Sequence, residues 1–227
     1  MMLALLMQRT RGALAAAAFA AGALVAGSAQ AATVQWTDWH TAGANTVRGS
    51  IGAITVRFTS PNAPIAFAIT GGGTDYWVDN GYTQGLVNRP TGTDIIALDQ
   101  GGTRTILFSQ AVNDVYLAFT SWNGNTAVFS QPFSVVAQGC GYWGCGSFAV
   151  NGSSDGFFGL GEVHGVLKFA GPVTSLSFGD SSENWHGLTV GIGVASGVPE
   201  PSTWAMMLIG FAGLGLAARR RRMDATA

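Results

Sequence analysis

Ile54-Thr55-Val56-Arg57-Phe58-Thr59 decides the fold class, because its apolar and polar residues alternate strictly. A period of two is that of a half-buried strand, and it turns Ile54, Val56 and Phe58 to one face. Working outward, further β-branched and aromatic runs occur at 65–70, 94–98, 103–108, 115–122, 126–130 and 133–137. Others follow at 148–151, 163–169, 174–178 and 188–194. Gly, Asn, Asp and Pro punctuate them, and helix signals are almost absent between them. Many short strands without crossover helices predict an all-β protein, a single antiparallel β-sandwich or jelly-roll-like domain. Gly101-Gly102 and Asn123-Gly124 tolerate positive φ, so the strands flanking each are expected to pair as hairpins. Gly71-Gly72-Gly73 reads as a loop, since three glycines weaken a strand.

The ends have a different character. Residues 1–31 read as a secretory signal peptide: Arg9 and Arg11 supply the positive region, an alanine-rich core follows, and Ala29-Gln30-Ala31 is a small-x-small cleavage site. The body, 32–197, carries ten acidic against five basic residues, a net −5, whereas the whole chain is at −1. Such a surface does not neutralise phosphates, which argues against nucleic acid as a partner.

Residues 198–222 close the chain apart from its last five residues. Trp204 to Ala218 is continuously apolar or small. As a helix it would reach about 22 Å of the roughly 30 Å hydrocarbon core. Arg219, Arg220, Arg221 and Arg222 form a positive block that would stay cytoplasmic and extend the reach by snorkelling. A C-terminal transmembrane helix over about 204–218 is therefore expected, with the body on the outer side of the inner membrane. Val198-Pro199-Glu200-Pro201-Ser202-Thr203-Trp204-Ala205, followed by the small-residue helix and the arginines, resembles the PEP-CTERM sorting signal in its Trp-Ala variant. The resemblance implies a Gram-negative, polysaccharide-producing bacterium and a transient inner-membrane anchor. It also implies processing by an exosortase near Pro199, Glu200 and Pro201, with Trp204 and Ala205 in the motif. Two prolines keep that site extended, where a protease can grip it. The body, around Gly161 to Gly165 and Glu183 to Gly191, is similar to glycine-rich all-β cargo of unassigned activity.

Within the body, Cys140 and Cys145 are the only cysteines, and in an oxidising compartment a disulfide is expected. A zinc site would need further ligands, and His40, His164 and His186 lack finger-like spacing. Asn151, Ser153, Asp155, Gly156 and Glu162 match the positions of a twelve-residue calcium loop. Only Asp155 and Glu162 bring charge, and the flanks read as strands where the motif has helices, so a surface turn between two strands is the favoured reading and calcium the alternative. Asp75, Asp79 and Asn80 form a second acidic turn.

Six tryptophans lie in the body, and aromatic rings near Asp and Asn suit stacking on sugars. Tyr142 and Trp143, at the tip of the cysteine ring, and then Trp36 and Trp39 are the expected exposed platforms; otherwise such rings fill the core. No nucleophile elbow, zinc-protease helix or phosphate loop is present. Glu162 and Glu183 would serve a glycoside hydrolase only if the fold brought them together. The expected function is thus a structural or adhesive protein of the cell surface or exopolysaccharide, with a carbohydrate-binding module as alternative and a matrix-polysaccharide hydrolase as second alternative. Its expected partners are an exosortase, the inner membrane and extracellular polysaccharide.

Overall fold

The computed structural model describes residues 31–78, 82–86, 88–90, 92, 94–194 and 201–224; within the last stretch it describes the side chains of 204–215. Signal residues up to Gln30, and Pro199 and Glu200 of the motif, lie outside the described residues.

Among the described residues fifteen strands build the body: β1 Thr33–Trp36, β2 Asp38–Ala42, β3 Thr46–Ile51, β4 Ile54–Thr59, β5 Phe67–Thr70, β6 Asp94–Leu98, β7 Gly102–Val112, β8 Val115–Trp122, β9 Thr126–Phe129, β10 Ser134–Gly139, β11 Gly146–Val150, β12 Gly156–Gly161, β13 Val163–Phe169, β14 Val173–Asp180 and β15 His186–Val194. They form two sheets. Sheet I has the order β10-β13-β8-β15-β6-β5, with β1 also paired to β15. Sheet II has the order β11-β12-β9-β14-β7-β4-β3-β2. All strand pairings within them are antiparallel. The all-β antiparallel expectation therefore stands.

Alternation explains the core. On β8, Val115, Leu117 and Phe119 join the main cluster with Val56 and Phe58 of β4, while Tyr116 and Ala118 face a second cluster. That second cluster contains Trp77 and Tyr82, which therefore cover part of the outer face of sheet I. Every residue of β8 is buried, which is why its run has no polar face to read. Trp77 is held there by its indole N–H, which donates to the Asp94 carbonyl at 3.0 Å, and Tyr82 donates to the Trp77 carbonyl at 3.0 Å.

Two expectations about turns are corrected. Gly101-Gly102 joins β6 of sheet I to β7 of sheet II, and Asn123-Gly124 joins β8 of sheet I to β9 of sheet II. Both are arches between sheets, not hairpins. A glycine pair signals a sharp change of direction, but whether the chain folds back beside itself or across the core depends on which faces must be buried. The glycines 71–73 lie in a loop as expected, all with positive φ.

Strands β1 to β3 and β12 were not among the expected runs. The first of these regions also corrects the reading of Trp36 and Trp39 as exposed. The chain leaves sheet I after β1 and enters sheet II at β2, with Thr37 buried at the crossing and bonded to the Val190 carbonyl through both its N–H (2.9 Å) and its hydroxyl (2.7 Å). The switch resets the inward parity, so Trp36 enters the outer cluster and Trp39 the main one. Trp39 is wholly buried, its indole donating to Thr189 at 3.0 Å.

The C-terminal unit contains helix α1, Pro201–Asp224. Trp204, Leu208, Phe211 and Leu214 are exposed on it. Among the described residues no helix is long and apolar enough to cross a membrane, so the transmembrane span expected over 204–218 is not shown. Arg219 to Arg222 lie on the helical backbone, and their side chains are outside the described residues.

Candidate functional site

The strand register gathers one end of sheet I into a row. Gly139 of β10 faces His164, Val163 faces Trp122 of β8, Gly187 of β15 faces Thr120, His186 faces Leu98, and Phe67 of β5 faces Ala97. The connections leaving this row carry the exposed aromatic and acidic side chains.

The first connection is the cysteine ring. Cys140 and Cys145 form a disulfide with a Cα–Cα distance of 4.1 Å. The backbone of Gly141 and Gly144 closes the ring by reciprocal hydrogen bonds of 2.8 and 3.3 Å, presenting Tyr142 and Trp143 at its tip. Gly141 is needed for contact: a Cβ there would sit 2.4 Å from Nδ1 of His164. Tyr142 is 45% and Trp143 50% exposed. Trp143 stacks on Tyr76 with ring centroids 6.3 Å apart and planes 18° apart, and meets Trp185 at 5.8 Å. Tyr76 also contacts Trp185 at 5.1 Å, and Phe67 lies 6.1 Å from Trp185. The aromatic surface is thus assembled from four separate stretches of chain.

Beside it lies a cleft of about 510 Å³ lined by Ser121, Asn123, Trp143, Glu162, Ser182, Glu183, Asn184 and Trp185. Glu162 and Glu183 do face one cleft, and Asn123 ties them together. Its side-chain amide donates to Glu162 at 2.9 Å and its backbone N–H to Glu183 at 2.6 Å. Glu162 also accepts from the Ser121 hydroxyl at 2.5 Å. Ser121 holds this position with a φ of 57°.

Behind the cleft runs a buried ionic chain. Glu183 lies 3.1 Å from Nδ1 of His186, whose Nε2 lies 2.9 Å from Asp180. Asp180 in turn meets Arg104 at 3.4 Å and accepts the Gly102 N–H at 2.8 Å. Arg104 is also bonded to Ser60 at 2.5 Å and to the Gln100 carbonyl. Burial disfavours charge on His186, but the hydrogen bonds and charges of Asp180 and Glu183 outweigh it and raise its proton affinity. Burial raises the Glu183 carboxyl as well, against the opposing His186 and Asn123 bonds. His164 behaves differently: burial lowers it to about 4, against the nearby Glu162 charge and the Gly144 carbonyl. Its Nδ1 accepts from the Ser121 N–H at 3.3 Å and lies 2.6 Å from the Thr120 hydroxyl.

At 151–155 the chain makes the surface turn between two strands that the sequence favours over a calcium loop. Asn151 and Ser153 donate to Asp155 at 2.7 Å each, and Asn151 accepts the N–H groups of Asp155 and Gly156, closing a β11–β12 turn on itself. Those hydrogen bonds draw the Asp155 carboxyl below its ordinary range. Glu162 lies past the far end of β12, about 20 Å of strand away at 3.3 Å per residue. The twelve positions that would wrap an ion are pulled straight instead. Among the described residues no cluster of three His, Cys, Asp or Glu is placed to hold a metal. In the second acidic turn, Asp75 pairs with Arg89 at 2.7 Å and accepts the Trp77 N–H at 2.9 Å, while Asp79 and Asn80 lie outside the described residues.

Comparison with protein families matches residues 197–222 to the PEP-CTERM protein-sorting motif. The chain carries a PEP-CTERM sorting signal. The PEP-CTERM motif implies an exported, membrane-transiting protein with an exosortase as its processing partner. No curated protein matches the chain. Among solved structures, a peptidoglycan O-acetylesterase aligns with a TM-score of 0.32 and 11% identity, over 72% of this chain and 35% of that one. The chain thus spans about a third of that protein. The module CsCBM6-3 from Clostridium stercorarium, solved with cellobiose, aligns with a TM-score of 0.25 and 16% identity, over 61% and 86%. A pectin-binding carbohydrate-binding module aligns with a TM-score of 0.23 and 12% identity, over 61% and 96%. These likenesses are too loose to carry a function.

Of the residues expected to form a platform, Tyr142 and Trp143 lie at the site, while Trp36 and Trp39 lie in the core. Phe67, Tyr76 and the cleft position of Trp185 were not expected. Trp185 follows Glu183 and Asn184 directly, a polar setting unlike that of a core residue, which is the signal that could have found it. Because the disulfide shapes the ring holding Trp143, replacing both cysteines by serine should lower stability by about 2 kcal/mol on the loop-entropy model. The same variant should weaken ligand binding more than its stability loss alone accounts for. Urea unfolding paired with calorimetric titration checks both.

Proposed function

We propose that this PEP-CTERM protein is an adhesive component of the cell surface or exopolysaccharide, and that its β-sandwich binds saccharide at the Trp143–Trp185 cleft. The observation that carries the reading is the joined surface: exposed Trp143 stacked on Tyr76, opening onto a cleft edged by Ser182, Asn184 and two carboxylates. Flat rings cover the apolar face of a pyranose, and adjacent hydrogen-bonding groups fix its hydroxyls. In this reading the tail delivers the chain, with the apolar stretch of 204–218 as a transient inner-membrane anchor, Arg219 to Arg222 on the cytosolic side, and an exosortase acting near Pro199-Glu200-Pro201. The body then remains outside, held to polymer by its own cleft.

The test is titration of the full chain, kept in mild detergent, against an array of oligosaccharides and the host polysaccharide. Saturable binding is expected, and Trp143→Ala should weaken it about tenfold or more with little loss of stability, since base-like and sugar-like stacking is worth about 1–3 kcal/mol per ring. Binding unchanged in Trp143→Ala rejects the site.

One observation favours a second reading as a hydrolase: Glu183 and Glu162 face the same cleft, and burial raises the proton affinity of Glu183. A proton-holding acid beside a second carboxylate is the outfit of glycoside hydrolysis. Reducing ends released from the polymer by the wild type and not by Glu183→Gln would establish it.

A further inference from the structure

We propose that the ligand of this cleft carries positive charge: a polymer of hexosamine with free amino groups, in preference to neutral, N-acetylated or uronic-acid chains. The inference rests on the saccharide-binding reading above and deepens it. Three observations converge on an ammonium group.

First, the residues lining the cleft include two carboxylates and neither lysine nor arginine. The basic groups behind it are already engaged, since Arg104 and His186 pair with Asp180 and Glu183. An anionic sugar would meet Glu162, which neither lysine nor arginine of the lining offsets, and the body carries net −5 besides. Like charges brought together in a partly desolvated cleft discriminate strongly against the wrong ligand.

Second, Glu162 has spare accepting capacity where it is wanted. Each of its oxygens takes one hydrogen bond, one from Asn123 and one from Ser121. A carboxylate offers about four lone-pair sites, so both oxygens can still accept an N⁺–H. The two existing bonds fix its orientation in advance, which lowers the ordering cost of meeting a ligand.

Third, the walls are aromatic. Trp143 and Trp185 meet at 61° with centroids 5.8 Å apart, presenting a ring face and a ring edge to the same space. An ammonium held between an indole face and a carboxylate gains both cation–π and ion-pair attraction, and tryptophan is the strongest ring for this role. A pyranose amine supplies that ammonium on a flat body able to lie along the stacked Trp143–Tyr76 surface. A lysine side chain supplies the charge without the flat body.

The test is calorimetric titration of the full chain in mild detergent at pH 6 and low salt, using the hexamers of glucosamine, N-acetylglucosamine, glucose, galacturonate and lysine. The glucosamine hexamer is expected to bind at least about tenfold more tightly than the N-acetylated one, with the galacturonate hexamer weakest. Glu162→Gln should remove that preference, weakening the glucosamine hexamer at least about tenfold until it binds no better than the N-acetylated one. Asn184→Asp, at an exposed position on the cleft, should widen the preference, and this second variant keeps the test open if Glu162→Gln disturbs folding. The proposal is overturned if the acetylated or glucose hexamer binds as tightly as the amine, or if the lysine hexamer matches the glucosamine hexamer. Saccharide binding that lacks charge preference overturns this inference alone, whereas no saccharide binding at all overturns the proposed function with it.

Discussion

Asp180→Asn is expected to lower the free energy of unfolding by about 3–5 kcal/mol, the cost of breaking a buried ionic network by removing one partner. Asp180 sits between the Arg104 guanidinium at 3.4 Å and the His186 ring at 2.9 Å, and all three side chains are fully buried. Asparagine fits the space but removes the charge. Arg104 would keep the Ser60 hydroxyl and the Gln100 carbonyl, and His186 would keep Glu183 and Asn125, but the charge between them would be gone. The effect should reach the cleft, because His186 lies 3.1 Å from Glu183 and packs against Trp122 at the end of β8, ring centroids 4.3 Å apart. Urea denaturation of the full chain measures the first consequence and calorimetric titration the second. A loss below about 1 kcal/mol would mean that Asp180 is no keystone of the network.

The second large effect is a loss of stability on mild acidification. His164 has a folded value of about 4 against an ordinary 6.5. Its group is depressed on folding, so the unfolded chain binds the proton more readily. The associated stability is fully present above about pH 6.5 and is lost as pH falls toward 4, on the order of 3 kcal/mol at most. The structural cause is burial: the ring is shut off from solvent, and a proton on Nδ1 would break the bond that nitrogen accepts from the Ser121 N–H. Two other groups act in the opposite sense. His186 is raised, so its contribution is complete below pH 6.5 and fades only as pH rises through its folded value. Glu183 is raised as well, so folding gains from its proton as pH falls through its folded value. The difference between the wild type and His164→Asn isolates the first term, since asparagine can accept from Ser121 without titrating in this range. Unfolding midpoints between pH 7 and 4 should converge for the two proteins as the medium becomes acidic. Parallel curves would refute the assignment.

Much of the fold could be read from alternation, because strands such as 54–59 show one face to the core and one to water. What alternation does not carry is the choice of sheet. Trp36 and Trp39 are three residues apart, which on one continuous strand puts them on opposite faces. Both are nonetheless buried, because the chain changes sheets at Thr37. Asn123-Gly124 has the chemistry of a hairpin and serves as an arch, since the hydrophobic faces of β8 and β9 must meet across the core. The site was legible only in part. Tyr142 and Trp143 stand out because a disulfide ring of six residues has no interior in which to hide them. Phe67, Tyr76, Glu162 and Glu183 come from remote stretches, and only the register of β5, β8, β13 and β15 places them at one end. The calcium-like spacing failed for a related reason: β12 is extended, and a pattern that requires a wrapped loop has no meaning along a straight strand.

The placement of β15 has a further consequence. It is the final strand of the body, yet it lies in the middle of sheet I, between β8 on one side and β6 and β1 on the other. Until those last residues emerge from a translocation channel, sheet I exists as two unjoined halves, and Thr33 has no Val194 to pair with. Long-range pairing of this kind is slow to form. Completion of sheet I must therefore wait until β15 itself has been delivered, however early β6 and β8 are made.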